Sequence, residues 1–320
     1  MYHGVDFVVF RGTSGFFEII DRKNERIYGI KMKKKRVFIV YFSPAGSTRH
    51  VTEVIEKQFL ALGTEVSSFD LAECSSDVAM TISQQMEASE GKSCLFIGSP
   101  VYVSHAVPLV MQFISELSDD TGAFAVPFVT WGGACSGISL YEMGKELINK
   151  KFTLLGAAKI LALHSLMWSL EDPLGQGHPD ADDDQLVEEL VNQINQKLQE
   201  DNPKGIKLSD LAYQSKENHA EMEKISLQTA KAHMPERTID TELCDQCQVC
   251  SDVCPANAVT FTPYPEFGDD CVFCLSCMKK CPEQAITADL SEIWQRIKDR
   301  AAFFSERPYS QIILSLTERL

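Results

Sequence analysis

From Val37 to about Glu200 the chain alternates short apolar runs with segments whose apolar positions recur at helical spacing. Val37–Phe42 reads as a buried strand, and Val51, Val54, Ile55, Phe59 and Leu62 mark one face of a helix over Val51–Leu62. Glu65–Phe69 is a weaker strand. Val78, Ile82 and Met86, four residues apart, predict a helix over Asp77–Ser89. Cys94–Gly98 reads as a strand ending at Ser99-Pro100, and Pro108–Leu117 as a helix with proline tolerated in its first turn. A strand over Phe124–Thr130 halts at Trp131-Gly132-Gly133, followed by a helix over Ile138–Lys150 and a strand over Ala157–Leu163. Beyond a loop with Pro173, Gly175, Gly177 and Pro179, a helix spans Asp182–Glu200, its leading aspartates placed where the helix dipole favours negative charge.

Strands alternating with helices predict right-handed βαβ units and therefore an α/β fold, a doubly wound, five-stranded parallel sheet covered on both faces. A ligand in such a sheet sits beyond the carboxyl ends of the strands. The loops after the first, third and fourth strands are therefore the places to search. Residues 201–238 read as a polar linker whose middle, Ser209 to His233, has helical character. Residues 239–289 form a small second domain rich in cysteine, proline and acid. In the tail, residues 290–320, Ile293, Trp294 and Ile297 describe one more amphipathic helix, and Gln311–Leu316 is apolar enough to dock.

A length of 320 residues fits about two domains. The net charge of −15 argues against a nucleic-acid binder, which needs a basic face to displace counterions. No apolar run is long enough for a transmembrane helix. Residues 1–31 lack the apolar stretch of a secretory signal, and Lys33–Arg36 followed by Val37 resembles the natural start of a domain. We therefore expect residues 1–31 to be a start artefact or a loosely held extension, and the protein to be cytoplasmic.

Eight of the eleven cysteines lie between Cys244 and Cys281. Cys244, Cys247, Cys250 and Cys254 precede Pro255, while Cys271, Cys274, Cys277 and Cys281 precede Pro282. Both runs read C-x2-C-x2-C-x3-C-P, displaced by 27 residues, which makes an internal repeat. Zinc sites use four ligands and have no need of two such runs. Structural disulfides conflict with the absence of an export signal. The run is that of bacterial two-cluster ferredoxins, in which the fourth cysteine ligates the other cluster. Ile239–Asp289 resembles those proteins, and the resemblance implies two [4Fe–4S] clusters. One would be held by Cys244, Cys247, Cys250 and Cys281, the other by Cys271, Cys274, Cys277 and Cys254. From Asp240 to Glu283 there are eight acids and two bases, a field that opposes electron addition and offers an acidic docking face to a basic redox partner. Cys74, Cys94 and Cys135 carry no pattern.

The loop Ser43-Pro44-Ala45-Gly46-Ser47-Thr48 joins the first strand to the first helix. Its small and hydroxyl residues let backbone N–H groups surround a phosphate at a helix N-terminus. Gly98-Ser99-Pro100-Val101-Tyr102 and Trp131-Gly132-Gly133 lie on the same sheet edge, offering aromatics to flank a planar ring and glycines for close backbone approach. Residues 37–200 resemble a flavodoxin-like domain, with sheet order 2-1-3-4-5. Ser43–Thr48 is similar to the family's FMN-phosphate loop, and Gly98–Tyr102 to its G-S-P-x-Y loop at the isoalloxazine. Ala45 replaces the central hydroxyl and Pro44 has no N–H, so one phosphate contact is missing. The order of the two domains resembles flavodoxin–ferredoxin fusion proteins of anaerobic microbes.

The resemblance implies an electron-transfer protein linking FMN to two clusters. The alternative is an FMN-dependent reductase of a quinone or another small acceptor, with Tyr102, His105, Trp131, His164 or Trp168 orienting substrate. No residue forms a recognisable acid–base pair, which favours the carrier. A third reading makes the flavodoxin-like half an empty docking module.

Overall fold

The computed structural model describes residues 35–89 and 93–315, together with the backbone of strands Phe7–Arg11, Phe16–Asp21 and Arg26–Lys31, which pair antiparallel with one another. Apart from those strands, the extension expected at residues 1–31 lies outside the described residues.

The first domain runs β1 (Arg36–Tyr41), α1 (Ser47–Ala61), β2 (Glu65–Asp70), α2 (Val78–Glu87), β3 (Ser93–Tyr102), α3 (Pro108–Glu116), β4 (Phe124–Trp131), α4 (Ser139–Asn149), β5 (Gly156–Leu161) and α5 (Ala181–Lys197). Its five strands pair in parallel in the order β2-β1-β3-β4-β5. Successive side chains of a strand face opposite ways, so a strand covered twice is apolar throughout. Val37 and Ile39 accordingly join Val51, Ile55 and Phe59 of α1 and Val187, Leu190 and Ile194 of α5. Phe38 and Val40 join Ile82, Val110, Phe113, Leu140 and Leu147 of α2, α3 and α4 on the other face. Asp180 caps α5 by accepting from Asp182 N and Asp183 N, with three aspartates in its first turn.

Three expectations need correction. β3 does not end at Ser99-Pro100: it continues to Tyr102, because Val101 and Tyr102 turn back to pair with Ala106 and His105. The linker is not a single helix over Ser209–His233. Ser215 and Ser226 act as N-caps, accepting from Asn218 N and Thr229 N, and divide it into α6 (Lys216–Met222) and α7 (Leu227–Lys231). Ile206, Leu211, Met222 and Leu227 are buried, so this connection is packed against the rest of the protein.

The second domain contains β6 (Thr238–Ile239), α8 (Val249–Asp252), β7 (Val259–Phe261), β8 (Pro265–Phe267), α9 (Ser276–Lys279) and β9 (Ile286–Thr287). β6 pairs with β9 and β7 with β8, both antiparallel. The sequence repeat is also a backbone repeat. Gln246, Gln248 and Asn257 have positive φ, and so do Phe273, Leu275 and Gln284, each 27 residues further on.

The third correction is to the five-stranded sheet. In the tail, α10 (Ser291–Phe304) is helical and Gln311–Leu314 docks as expected, but it docks as a strand, β10, which pairs antiparallel with β5 and extends the sheet beyond five strands. β5 would otherwise present an unpaired edge, which such sheets avoid. No helix among the described residues is long and apolar enough to cross a membrane.

Candidate functional site

The loop after β1 reverses at Gly46, whose φ of 95° suits only a residue without a Cβ. α1 begins at the next residue, so its first N–H groups have no intrahelical partner and face the cavity end of the sheet. Ser43 Oγ accepts from Arg49 N at 2.8 Å, which fixes the loop's entry. Thr48 Oγ1 lies 2.8 Å from Thr130 Oγ1, buried, linking this loop to the end of β4.

These loops open onto a cavity of about 550 Å³. Every flavin-loop residue expected from sequence lines it except Gly46, Gly98, Ser99 and Gly133. Ser99 instead braces its own loop: its Oγ accepts from Val107 N at 3.0 Å and donates to Pro100 O at 2.8 Å. Trp131 is 1% exposed, and its Nε1 is buried without a partner. A Cβ on Gly132 would meet His164 Cδ2 at 2.6 Å, so any larger residue there must displace the His164 loop. His164 lines the cavity, and burial lowers its pKa to about 4, so its ring is neutral near pH 7. His105 and Trp168, named as candidate substrate contacts, lie outside the wall. His105 is bound to Glu142 and Met222 O, and Trp168 sits under Lys279.

The far side of the cavity is built by parts of the chain that sequence reasoning left without a role. Ile293 and Ile297 of α10 close it, with Leu227 and Ala230 of α7. Trp294 Nε1 donates to Leu166 O at 2.8 Å and fixes α10 on the loop after β5. Arg300 also faces the cavity and donates to Ser104 Oγ. Among the described residues, no aspartate or glutamate lines this cavity. Apolar walls, an orphaned indole N–H and free N–H groups at a helix start suit a flat aromatic group carrying a phosphate.

Cys244, Cys247, Cys250 and Cys281 line one small cavity together with Pro282. In the other group, Arg237 Nη1 donates to Cys271 Sγ at 3.4 Å and Cys277 Sγ at 3.7 Å. Burial raises the Cys274 thiol pKa, and Cys271 and Cys254 raise it further. The alternation of left-handed residues in each loop turns successive N–H groups towards one concavity, the backbone form that holds anionic iron–sulfur groups. All eleven cysteines are free of disulfides. The donor sets therefore suit iron–sulfur ligation. Of the remaining cysteines, Cys94 is fully buried, and burial raises the Cys135 pKa to about 11, which keeps it a neutral thiol.

The second cysteine loop reaches the first domain directly. Ser276 Oγ donates to Pro44 O at 2.7 Å, and Lys279 Nζ donates to Ser165 O at 2.6 Å. Val272 and Phe273, which lie between Cys271 and Cys274, line the large cavity. The signal for this contact was already present in the repeat. Where the first loop carries Asp245, Gln246 and Asp252, the second carries Val272, Phe273 and Lys279.

The family of 4Fe-4S binding domains matches residues 237–260, which include the first cysteine run. No curated protein matches the sequence. Among solved structures, a flavodoxin from the domain Archaea is similar at 15% identity and a TM-score of 0.37, covering 52% of this chain and 99% of its own. An apo NADH:FMN oxidoreductase is similar at 14% identity and a TM-score of 0.40, covering 53% of this chain and 94% of its own. Rubredoxin oxygen:oxidoreductase from Desulfovibrio gigas is similar at 20% identity and a TM-score of 0.40 over 52% of this chain, a match that spans only 37% of that protein. By its strand order and its cysteine domain, the chain joins a flavodoxin-like α/β domain to a [4Fe–4S]-binding ferredoxin-like domain.

Proposed function

We propose that this protein is an electron carrier that relays electrons between FMN in the large cavity and two [4Fe–4S] clusters in the second domain. FMN exchanges one or two electrons and a cluster one, so the pair couples two-electron to one-electron chemistry. The observation that carries this reading is the position of Val272 and Phe273, inserted between two cysteines of one loop and lining the cavity of Tyr102 and Trp131. In this reading the Ser43–Thr48 loop holds the phosphate with backbone N–H groups and the Ser47 and Thr48 hydroxyls. Tyr102, Trp131 and Gly132 hold the ring, and α10 excludes water.

The two clusters take different places. Cys254, Cys271, Cys274 and Cys277 hold the inner one, beside the flavin cavity, where Leu275 is 1% exposed. Cys244, Cys247, Cys250 and Cys281 hold the outer one, where Cys247 is exposed and Leu243 is 52% exposed. A basic partner docks on that acidic outer face. The carrier reading is favoured over a quinone reductase because, among the described residues, no aspartate or glutamate lines the cavity to pair with His164 or His233 as an acid–base couple.

Purified anaerobically, the full chain should show flavin absorption and two reducible clusters by EPR. On addition of limiting dithionite, flavin and clusters should reach equilibrium within the time of mixing. A flavin that stays oxidised beside reduced clusters once dithionite is in excess overturns the relay.

A further inference from the structure

Arg237 lies at the end of the linker, just before the first strand of the cysteine domain, and has no part in the cysteine repeat. Its guanidinium is held between two aromatic rings, 3.7 Å from the Phe267 centroid and 5.0 Å from that of Phe273. From there Nη1 reaches Cys271 Sγ at 3.4 Å and Cys277 Sγ at 3.7 Å. Both sulfurs belong to the set assigned above to the inner cluster. The loop of the outer set has acidic surroundings instead. Asp245 Oδ1 accepts from Cys247 N at 3.1 Å, and Asp240 Oδ1 accepts from Glu242 N and Leu243 N just before Cys244.

We infer that Arg237 makes the two clusters electrically unequal, raising the reduction potential of the inner one above that of the outer. The inference rests on the two-cluster reading of the preceding section. Reduction adds one electron, and so one negative charge, to a group already surrounded by four thiolates. A guanidinium beside two of those sulfurs stabilises the added charge, and N–H···S hydrogen bonds act in the same direction. Arginine presents its charge on a planar, rigid fork. Its planar face stacks on Phe267 and Phe273, which a flexible ammonium would not do equally well. Arg237 is therefore a positioning and tuning residue. An electron entering at the outer cluster runs downhill to the inner one, next to the flavin cavity.

The test is an anaerobic potentiometric titration of the full chain, followed by EPR, with iron and sulfide counted in every sample. The wild-type protein should show two one-electron cluster steps. Arg237→Gln should lower the upper step while leaving the lower one in place. The reduced-to-oxidised ratio at the wild-type upper midpoint should fall about tenfold, a shift of about 59 mV for a one-electron couple. Arg237→Lys keeps the charge but gives up the stacked, two-sulfur geometry, so the same step should fall by less. Should Arg237→Gln fail to assemble both clusters, the lysine variant decides. An upper step that stays in place in either assembled variant overturns the inference, as does a fall of both steps together or of the lower step alone. Fewer than two cluster steps in the wild-type protein would instead remove the two-cluster reading itself, and this inference with it.

Discussion

Lys159 Nζ donates to Glu306 Oε1 across 2.6 Å, joining β5 of the sheet to the segment between α10 and β10. Both side chains are largely enclosed, at 4% and 13% exposure. Lys159 is further surrounded by the rings of Trp131, Tyr213 and Tyr309, at 5.3, 4.7 and 5.2 Å. Glu306 also accepts from Ser136 N at 2.8 Å and from Gln214 Nε2 at 3.2 Å. The tail, the loop after β4 and the linker therefore converge on one ion pair beneath the cavity wall.

Removing one partner of a buried pair leaves the other charge uncompensated, which costs more than the pair itself contributes. Glu306→Ala should destabilise the first domain by about 3–5 kcal/mol, read from the shift of its chemical denaturation midpoint. Replacing both partners, as Lys159→Met with Glu306→Leu, should recover most of that loss. A single variant as stable as the wild type would show that the tail is not fastened here.

His105 gives the linker a pH dependence. Its Nδ1 lies 2.8 Å from Glu142 Oε1 and its Nε2 lies 2.9 Å from Met222 O. Both partners are acceptors, so both ring nitrogens must donate, and only the imidazolium can do that. Its pKa is raised accordingly, first by the Glu142 hydrogen bond, against opposing burial. The contribution of such a group is complete below the unfolded histidine value of about 6.5 and fades as pH rises through the folded value. Amide hydrogen exchange of the α6 region should therefore accelerate as pH is raised above neutrality, beyond the intrinsic chemical rate. In His105→Gln that additional acceleration should be absent.

Much of the first domain was legible because its information is local. The continuous apolar run Val37–Phe42 and the four-residue spacing of Val78, Ile82 and Met86 each follow from burial on a known geometry. The cysteine runs were legible because ligand spacing is itself local. What could not be read depends on distant partners. Lys159 is merely a polar interruption in an apolar strand until Glu306, 147 residues away, is seen beside it. Nothing in Gln311–Leu314 says which strand edge it will meet. Arg237 precedes the first cysteine yet touches two cysteines of the second run, so spacing alone could not connect them.

The docking of the two domains should depend on Ser276. Its hydroxyl donates to Pro44 O at 2.7 Å, and Pro44 has no N–H of its own to hold this turn. Ser276→Ala removes one hydrogen bond worth about 1 kcal/mol, too little to unfold either domain. Flavin reduction by the clusters in stopped-flow mixing should slow several-fold, with the flavin potential unchanged. An unchanged transfer rate would mean that other contacts, such as Lys279 to Ser165 O, set the distance.

Gly132→Ala tests whether the loop after β4 approaches the flavin as closely as proposed. A Cβ at this position would lie 2.6, 2.7 and 2.8 Å from His164 Cδ2, Cα and Cβ. Two of those atoms belong to or adjoin the backbone, so His164 cannot swing aside, and its loop must move. That loop is held by His164 N donating to Leu174 O at 2.9 Å and by Leu163 N donating to His178 O at 3.1 Å. Displacing it shifts the wall beside Trp131, whose O accepts from Ala162 N at 2.9 Å, while leaving the sheet intact. The variant should therefore fold and keep both clusters, but lose bound flavin on gel filtration, with its FMN dissociation constant raised at least tenfold, about 1.4 kcal/mol. Full flavin retention would mean that the ring lies elsewhere in the cavity, away from Gly132 and His164.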